Sequence, residues 1–133
     1  MSKCIFKLGL AGTHSTGKSS FVSALKARLE RNGLTCETVS NVASHALALG
    51  FPILRNHTFE STLWILTKVI GGELEAGLKA NVVLVDRPVA DALGYLWAAL
   101  KLRGDVLPRE CDDYLRRLVA FHSATYDVIL RTE

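Results

Sequence analysis

Short apolar runs and longer amphipathic stretches alternate along the chain. The run CIFKLGLAG (residues 4–12) predicts a buried strand, and Lys18 to Asn32 predicts a helix closed by Gly33. CETVSNV (36–42) reads as a second strand, followed by the short helical stretch ASHALALG (43–50). From Thr58 to Ala80 the period is helical, with Thr58 as N-cap and Phe59, Leu63, Leu66, Ile70 and Leu74 as the apolar stripe. Gly71 and Gly72 interrupt that stripe. At about 1 kcal/mol per glycine against alanine, a break or kink is expected there.

NVVLVD (81–86) is a near-continuous apolar run, the pattern of a strand covered on both faces. Helices are predicted from Val89 to Leu102, with Ala90, Leu93, Trp97 and Leu100 facing the core, and from Arg109 to His122, with Pro108 at the first turn. YDVIL (126–130) predicts a fourth strand. Strands alternating with helices imply right-handed crossovers and a mostly parallel sheet. The expected architecture is a three-layer α/β/α sandwich, with residues 1–133 forming one domain.

Composition narrows the function classes. Hydrophobic residues make up 49% of the chain, which excludes disorder. The net charge of +3 comes from scattered basic residues, so a nucleic-acid groove is disfavoured while small anionic ligands are suited. Cys4, Cys36 and Cys111 are an odd number at wide spacing without a CxxC pair, which suggests reduced thiols in a cytoplasmic protein. Lys7 makes the first apolar run a poor secretion signal, and no uncharged stretch reaches the length of a membrane span. A homo-oligomer is compatible with all of this.

GLAGTHSTGKSS (9–20) carries the clearest chemistry. Gly12, Gly17, Lys18 and Ser19 fit G-x-x-x-x-G-K-[ST], set where a strand should hand over to a helix. Backbone amides can converge on phosphate oxygens only where side chains are absent or small, and the following helix adds its positive end. Candidate nucleotide contacts are therefore Gly12, Thr13, His14, Ser15, Thr16, Gly17, Lys18, Ser19 and Ser20. Lys18 would reach the β- and γ-phosphates of ATP, and the Ser19 hydroxyl would ligate Mg²⁺. The bland alternative is a glycine turn with Lys18 solvated and Ser19 or Ser20 capping the helix.

A magnesium–triphosphate site also needs a carboxylate at a neighbouring strand end, and Asp86 closes VVLVD. A turn-forming Asp ahead of Pro88 is the other reading. Arg87, Asp91 and Tyr95 fall four apart on one helix face. That face either meets solvent, with Asp91 pairing to Arg87, or lines a cleft above the strand ends, where parallel sheets bind ligands.

GTHSTGKSS followed by VVLVDRPVADALGY resembles the P-loop nucleoside and nucleotide kinases, and is most similar to the AAA-type ATPase/kinase family related to the ribosylnicotinamide kinase domain of NadR. LGFPI and TFESTLWIL extend the similarity over essentially the whole chain. The resemblance implies that Asp86 serves magnesium or acts as general base, that Arg87 contacts transferred or acceptor phosphate, and that Asp91 and Tyr95 border the acceptor pocket. It also marks two departures. Relatives commonly carry a Glu, and an Arg three residues on, after the second strand; here Asn41 and Ser44 occupy that stretch. Relatives continue past the fourth strand into an arginine-bearing lid and a fifth strand, so the domain is expected to be C-terminally incomplete, with Arg131 as a lid mimic of short reach.

The reading that follows is a cytoplasmic ATP-binding phosphotransferase, with Lys18, Asp86 and Arg87 as catalytic candidates and a small nucleoside- or nucleotide-like acceptor. The alternative is a nucleotide-dependent regulatory module without such an acceptor. His45, His57 and His122 lack metal-ligand spacing and are expected at the surface or at helix ends, His45 with access to the acceptor cleft. Asp112 and Asp113 are placed for surface pairs with Arg116 and Arg117, while Trp64 and Trp97 are expected in the core.

Overall fold

Residues 4–12 and 17–131 are described by a computed structural model. Among them the chain runs β1 (Phe6–Ala11), α1 (Lys18–Arg31), β2 (Cys36–Val39), α2 (Val42–Leu49), a 3₁₀ turn (Leu54–Asn56), α3 (Phe59–Lys79), β3 (Val82–Asp86), α4 (Val89–Arg103), α5 (Arg109–Ser123) and β4 (Val128–Arg131). The four strands form one parallel sheet in the order β2-β3-β1-β4. This is the expected α/β sandwich.

The alternation of β3 explains its unbroken apolar run. Val82 and Leu84 pack with Leu10, Cys36 and Val22 beneath α1. Val83 and Val85 face the other way into the larger core, built with Leu66, Val69, Leu93, Leu96 and Leu115 of α3, α4 and α5. A strand buried on both faces has no polar side to show.

Helix ends follow local chemistry. The Thr58 hydroxyl accepts the Ser61 amide at 3.1 Å while the Ser61 hydroxyl accepts the Thr58 amide at 3.0 Å, a reciprocal cap that starts α3. Gly33, after α1, takes the left-handed conformation (φ 84°) that closes helices.

Two helical faces differ from expectation. α3 runs without interruption through Gly71 and Gly72. A Cβ on Gly72 would come within 3.1 Å of Val39 Cγ1, so close packing on β2 accounts for one glycine. The buried stripe of α3 is Ser61, Thr62, Ile65, Leu66, Val69, Glu73, Ala76 and Gly77, and Leu74 is exposed. On α4 the core face is Val89, Ala92, Leu93, Leu96, Ala99 and Leu100, leaving Ala90 and Trp97 outside. Trp97 lies under the Arg116 guanidinium, whose carbon is 4.3 Å from the ring centre. Arg116 pairs with Asp112 at 2.6 Å, whereas Asp113 approaches Arg109 at 3.9 Å. Among the described residues, no helix is long and apolar enough to cross a membrane.

Candidate functional site

Sheet register builds the site. β1 and β3 pair so that Leu10 stands beside Asp86, and the Arg87 amide donates to the Leu10 carbonyl at 3.0 Å. The acid ending β3 is thereby fixed next to the point where β1 gives way to the glycine loop. Gly12 (φ 145°) and Gly17 (φ 77°) carry the backbone through conformations that side chains disfavour. α1 then begins at Lys18, aiming its N-terminal amides into the crevice at the strand ends.

Lys18 is buried, its Nζ 2.8 Å from Asp86 Oδ1 and donating to the Gly12 carbonyl at 3.3 Å. The approach to Asp86 is a charge contact rather than an aligned hydrogen bond. Oδ1 is buried and, among the described residues, has no partner of good hydrogen-bond geometry, so short distance and missing alignment describe the same ion pair.

Arg87 holds φ at 70°, a left-handed geometry costing an arginine on the order of 1–2 kcal/mol. Its guanidinium donates to the Tyr95 hydroxyl and lies over that ring, 5.4 Å from its centre. Asp91, in the first turn of α4, accepts the Gly12 amide. Burial pushes its carboxyl above the usual range, against the pull of Lys18, Arg87 and that amide. The face carrying Arg87, Asp91 and Tyr95 thus lines a cleft, not solvent.

The cleft is a cavity of about 600 Å³. Gly17 to Ser20 form its phosphate-loop end, with Asp86, Arg87, Asp91 and Tyr95 along one side. The remaining wall is mostly apolar, from Val42, Ala43, Leu47, Ile53, Ile65 and Val69, with Asn41, Ser44 and His57 interspersed. The structure therefore brings Lys18, Ser19, Ser20, Asp86, Arg87, Asp91 and Tyr95 together. Gly12 adjoins them through its bonds to Lys18 and Asp91. Thr13, His14, Ser15 and Thr16 lie outside the described residues.

The histidines depart from expectation. His57 is 3% exposed, stacks on Tyr95 with ring centres 6.1 Å apart, and lines the cavity. Burial first, then the Arg103 charge, pulls its imidazole below the ordinary value, so the ring is neutral at pH 7. His122 is also buried, with Nε2 2.7 Å from Glu73 Oε1. His45 is exposed on α2, but it meets the edge of Trp64 instead of the cleft. No local pattern announces His57 or His122, because their partners lie far away in sequence.

Comparisons with known proteins agree with this geometry. A family model described as an AAA domain matches residues 7–133. A sequence search among curated proteins finds no match. Among solved structures, deoxyadenosine kinase from M. mycoides, with dATP bound, superposes with a TM-score of 0.58 at 14% identity. The alignment covers 95% of this chain and 64% of that kinase, so the chain spans under two thirds of that protein's length. At such identity the likeness shows a shared fold.

Proposed function

The chain belongs to the AAA domain family, whose model spans residues 7–133, and from that premise we propose a nucleotide-kinase-like P-loop phosphotransferase acting from Mg-ATP on a small, uncharged, ring-bearing alcohol of the nucleoside kind. One observation carries this reading: the Lys18 ammonium and the Asp86 carboxylate meet at 2.8 Å where the glycine loop, the α1 N-terminus and β3 converge. ATP would lie along Gly12–Ser20 with its terminal phosphates at Lys18.

Magnesium fits the residues present. Among the described residues, Asp86 Oδ1 is a buried anionic oxygen without an aligned donor, and Ser19 lines the same cavity. These two would hold the ion, which when bound supplies positive charge to the phosphate oxygens. Lys18 and Arg87 would stabilise charge on the γ-phosphoryl group in transfer, the main source of catalysis in this reaction class. The acceptor hydroxyl oxygen bonds to the γ-phosphorus, the bond to the β–γ bridging oxygen breaks, and ADP departs. The hydroxyl proton passes to a carboxylate. Asp91, raised by burial, is the better matched receiver, while Asp86 is paired with Lys18 and would hold the metal.

The wall away from the phosphate loop supports an uncharged acceptor. It is apolar apart from Asn41, Ser44, Tyr95 and the neutral His57. Among the described lining residues the cations are Lys18 and Arg87, and both stand beside Asp86 and Asp91. An acceptor phosphate would find no further positive partner there.

The test is to incubate the protein with γ-labelled Mg-ATP and a panel of nucleosides, ribosides and nucleoside monophosphates. Labelled nucleoside monophosphate is expected; labelled diphosphate, formed from a monophosphate acceptor, would overturn the uncharged-acceptor reading. A second reading, a nucleotide-dependent regulatory module, draws support from Asn41, a carboxamide facing the cavity where a carboxylate could have served as base. Release of free phosphate alone, with no acceptor labelled, would favour it.

A further inference from the structure

We propose that the Tyr126 hydroxyl, held by Glu73, is a positioning group for the Arg87 turn, capping the first amide of α4 from outside the helix and so fixing where Arg87 and Asp91 stand. The role in catalysis rests on the phosphotransfer reading above; the positioning itself does not.

The first amides of a helix have no partner within it. α4 follows Pro88, which offers no side-chain cap. Its Val89 amide instead donates to the Tyr126 hydroxyl at 3.2 Å, across 37 residues of sequence. That hydroxyl gives its own proton to Glu73 Oε2 at 2.6 Å, leaving its lone pairs for the amide.

Glu73 is 3% exposed and sits on the buried stripe of α3 between Val69 and Ala76. Packing alone would place an apolar side chain there, because a buried carboxylate is costly unless fully partnered. Its partners come from three other parts of the chain. Oε1 accepts Lys7 Nζ from β1 at 2.7 Å and meets His122 Nε2 of α5 at 2.7 Å, while Oε2 takes Tyr126. Lys7 also donates to Thr125, next to Tyr126, at 2.6 Å. The network holds one hydroxyl rigidly, and that hydroxyl's remaining contact is the α4 amide.

Arg87 lies two residues before that amide at φ 70°. Such a conformation persists only where its surroundings over-determine it. On one side the Arg87 amide is tied to Leu10, at 3.0 Å; on the other, Val89 is tied to Tyr126. Losing the second tie removes one anchor of the turn beside the Arg87–Tyr95 contact, and shifts the Arg87 guanidinium and the Asp91 carboxylate out of register with Lys18.

The experiment compares wild type, Tyr126→Phe and Glu73→Gln, each also in an Arg87→Lys background. Amide exchange and NMR shifts are read first, then single-substrate kinetics. Faster exchange at Val89 with displaced Arg87 and Asp91 signals is expected for Tyr126→Phe; unmoved signals overturn the proposal whether or not the protein transfers phosphate. In kinetics, kcat per folded molecule should fall about tenfold with KM for ATP held within about twofold. The same substitution should cost less than about twofold once Arg87 is already Lys. A lowered melting midpoint with unchanged kcat, or a full additional loss in the Arg87→Lys background, overturns it. If Tyr126→Phe does not fold, Glu73→Gln, which keeps the side-chain volume, gives the same readouts with a smaller loss. If wild type transfers no phosphate while Tyr126→Phe still shows the expected shifts, the phosphotransfer reading is refuted and the positioning role stands.

Discussion

Lys18 and Asp86, 68 positions apart in sequence, form a 2.8 Å ion pair whose side chains are 7% and 18% exposed. One comes from the first residue of α1 and the other from the last of β3. The pair sets a cation and an anion at the spot where a nucleotide's terminal phosphates and their metal would arrive.

Lys18→Ala should therefore lower Mg-ATP affinity by about 100-fold, on the order of 3 kcal/mol, as expected for loss of a charged donor in a shielded site. It should also destabilise the fold by about 1–3 kcal/mol, because Asp86 is left without its counter-charge. Asp86→Asn should do something different: nucleotide binding should persist but lose its dependence on magnesium. Titration calorimetry with magnesium and with a chelator measures both. Equal affinities for wild type and Lys18→Ala would remove the basis of the assigned site.

The Arg87 turn separates stability from function. Arg87→Ala and Arg87→Gly both delete the guanidinium, and both should reduce phosphoryl transfer by about 100-fold or more. Alanine retains the penalty for φ 70° and glycine does not. The glycine variant should thus be the more stable of the two by about 1 kcal/mol in chemical denaturation. Equal midpoints would show that the turn relaxes once the side chain is gone.

What could be read from the chain beforehand was what local spacing encodes. The loop from Gly12 to Ser19 and the acid ending VVLVD are legible because phosphate binding needs few side chains, and two-faced burial needs an unbroken apolar run. The buried faces of α3 and α4 differ from their sequence patterns for a common reason. The buried side of α3 includes Ser61, Thr62 and Glu73, and that of α4 includes Ala92 and Ala99. A search for large apolar residues rotates both stripes toward the exposed Leu74 and Trp97. Ser61 is buried because a reciprocal cap satisfies it, and Glu73 because partners 66, 49 and 53 positions away do. The cap partner of Ser61 is three residues away at Thr58, whereas nothing in the residues neighbouring Glu73 signals its distant partners.

The two central glycines of α3 yield a contrast. Gly71 has open space where a Cβ would go, and it is helical, so Gly71→Ala should stabilise the protein by about 0.5–1 kcal/mol through propensity alone. A Cβ on Gly72 would sit 3.1 Å from Val39 Cγ1, so Gly72→Ala must displace Val39 and should gain less or lose. Thermal melts of the two single variants measure the difference. A larger gain at position 72 would mean that β2 and α3 pack more loosely than these contacts indicate.

His57 makes the acid limit of stability testable. Its imidazole is buried against Tyr95 and held neutral, below the ordinary value of 6.5. In the unfolded chain the same ring takes up a proton as the pH falls through 6.5, so between that pH and the lowered folded value the unfolded state binds more protons. Folding stability from this group is then fully present above pH 6.5 and is lost on acidification, at no more than about 1.4 kcal/mol per pH unit. His57→Phe keeps a ring against Tyr95 and removes the titration. Urea denaturation from pH 8 to pH 5 should show wild type losing ground relative to His57→Phe only below about 6.5, with a flat difference above it. Every other titrating group is common to both proteins and cancels in that difference. A constant gap across the whole range would mean that the ring is as easily protonated in the folded cavity as in water, and that the wall facing the acceptor carries charge in mild acid.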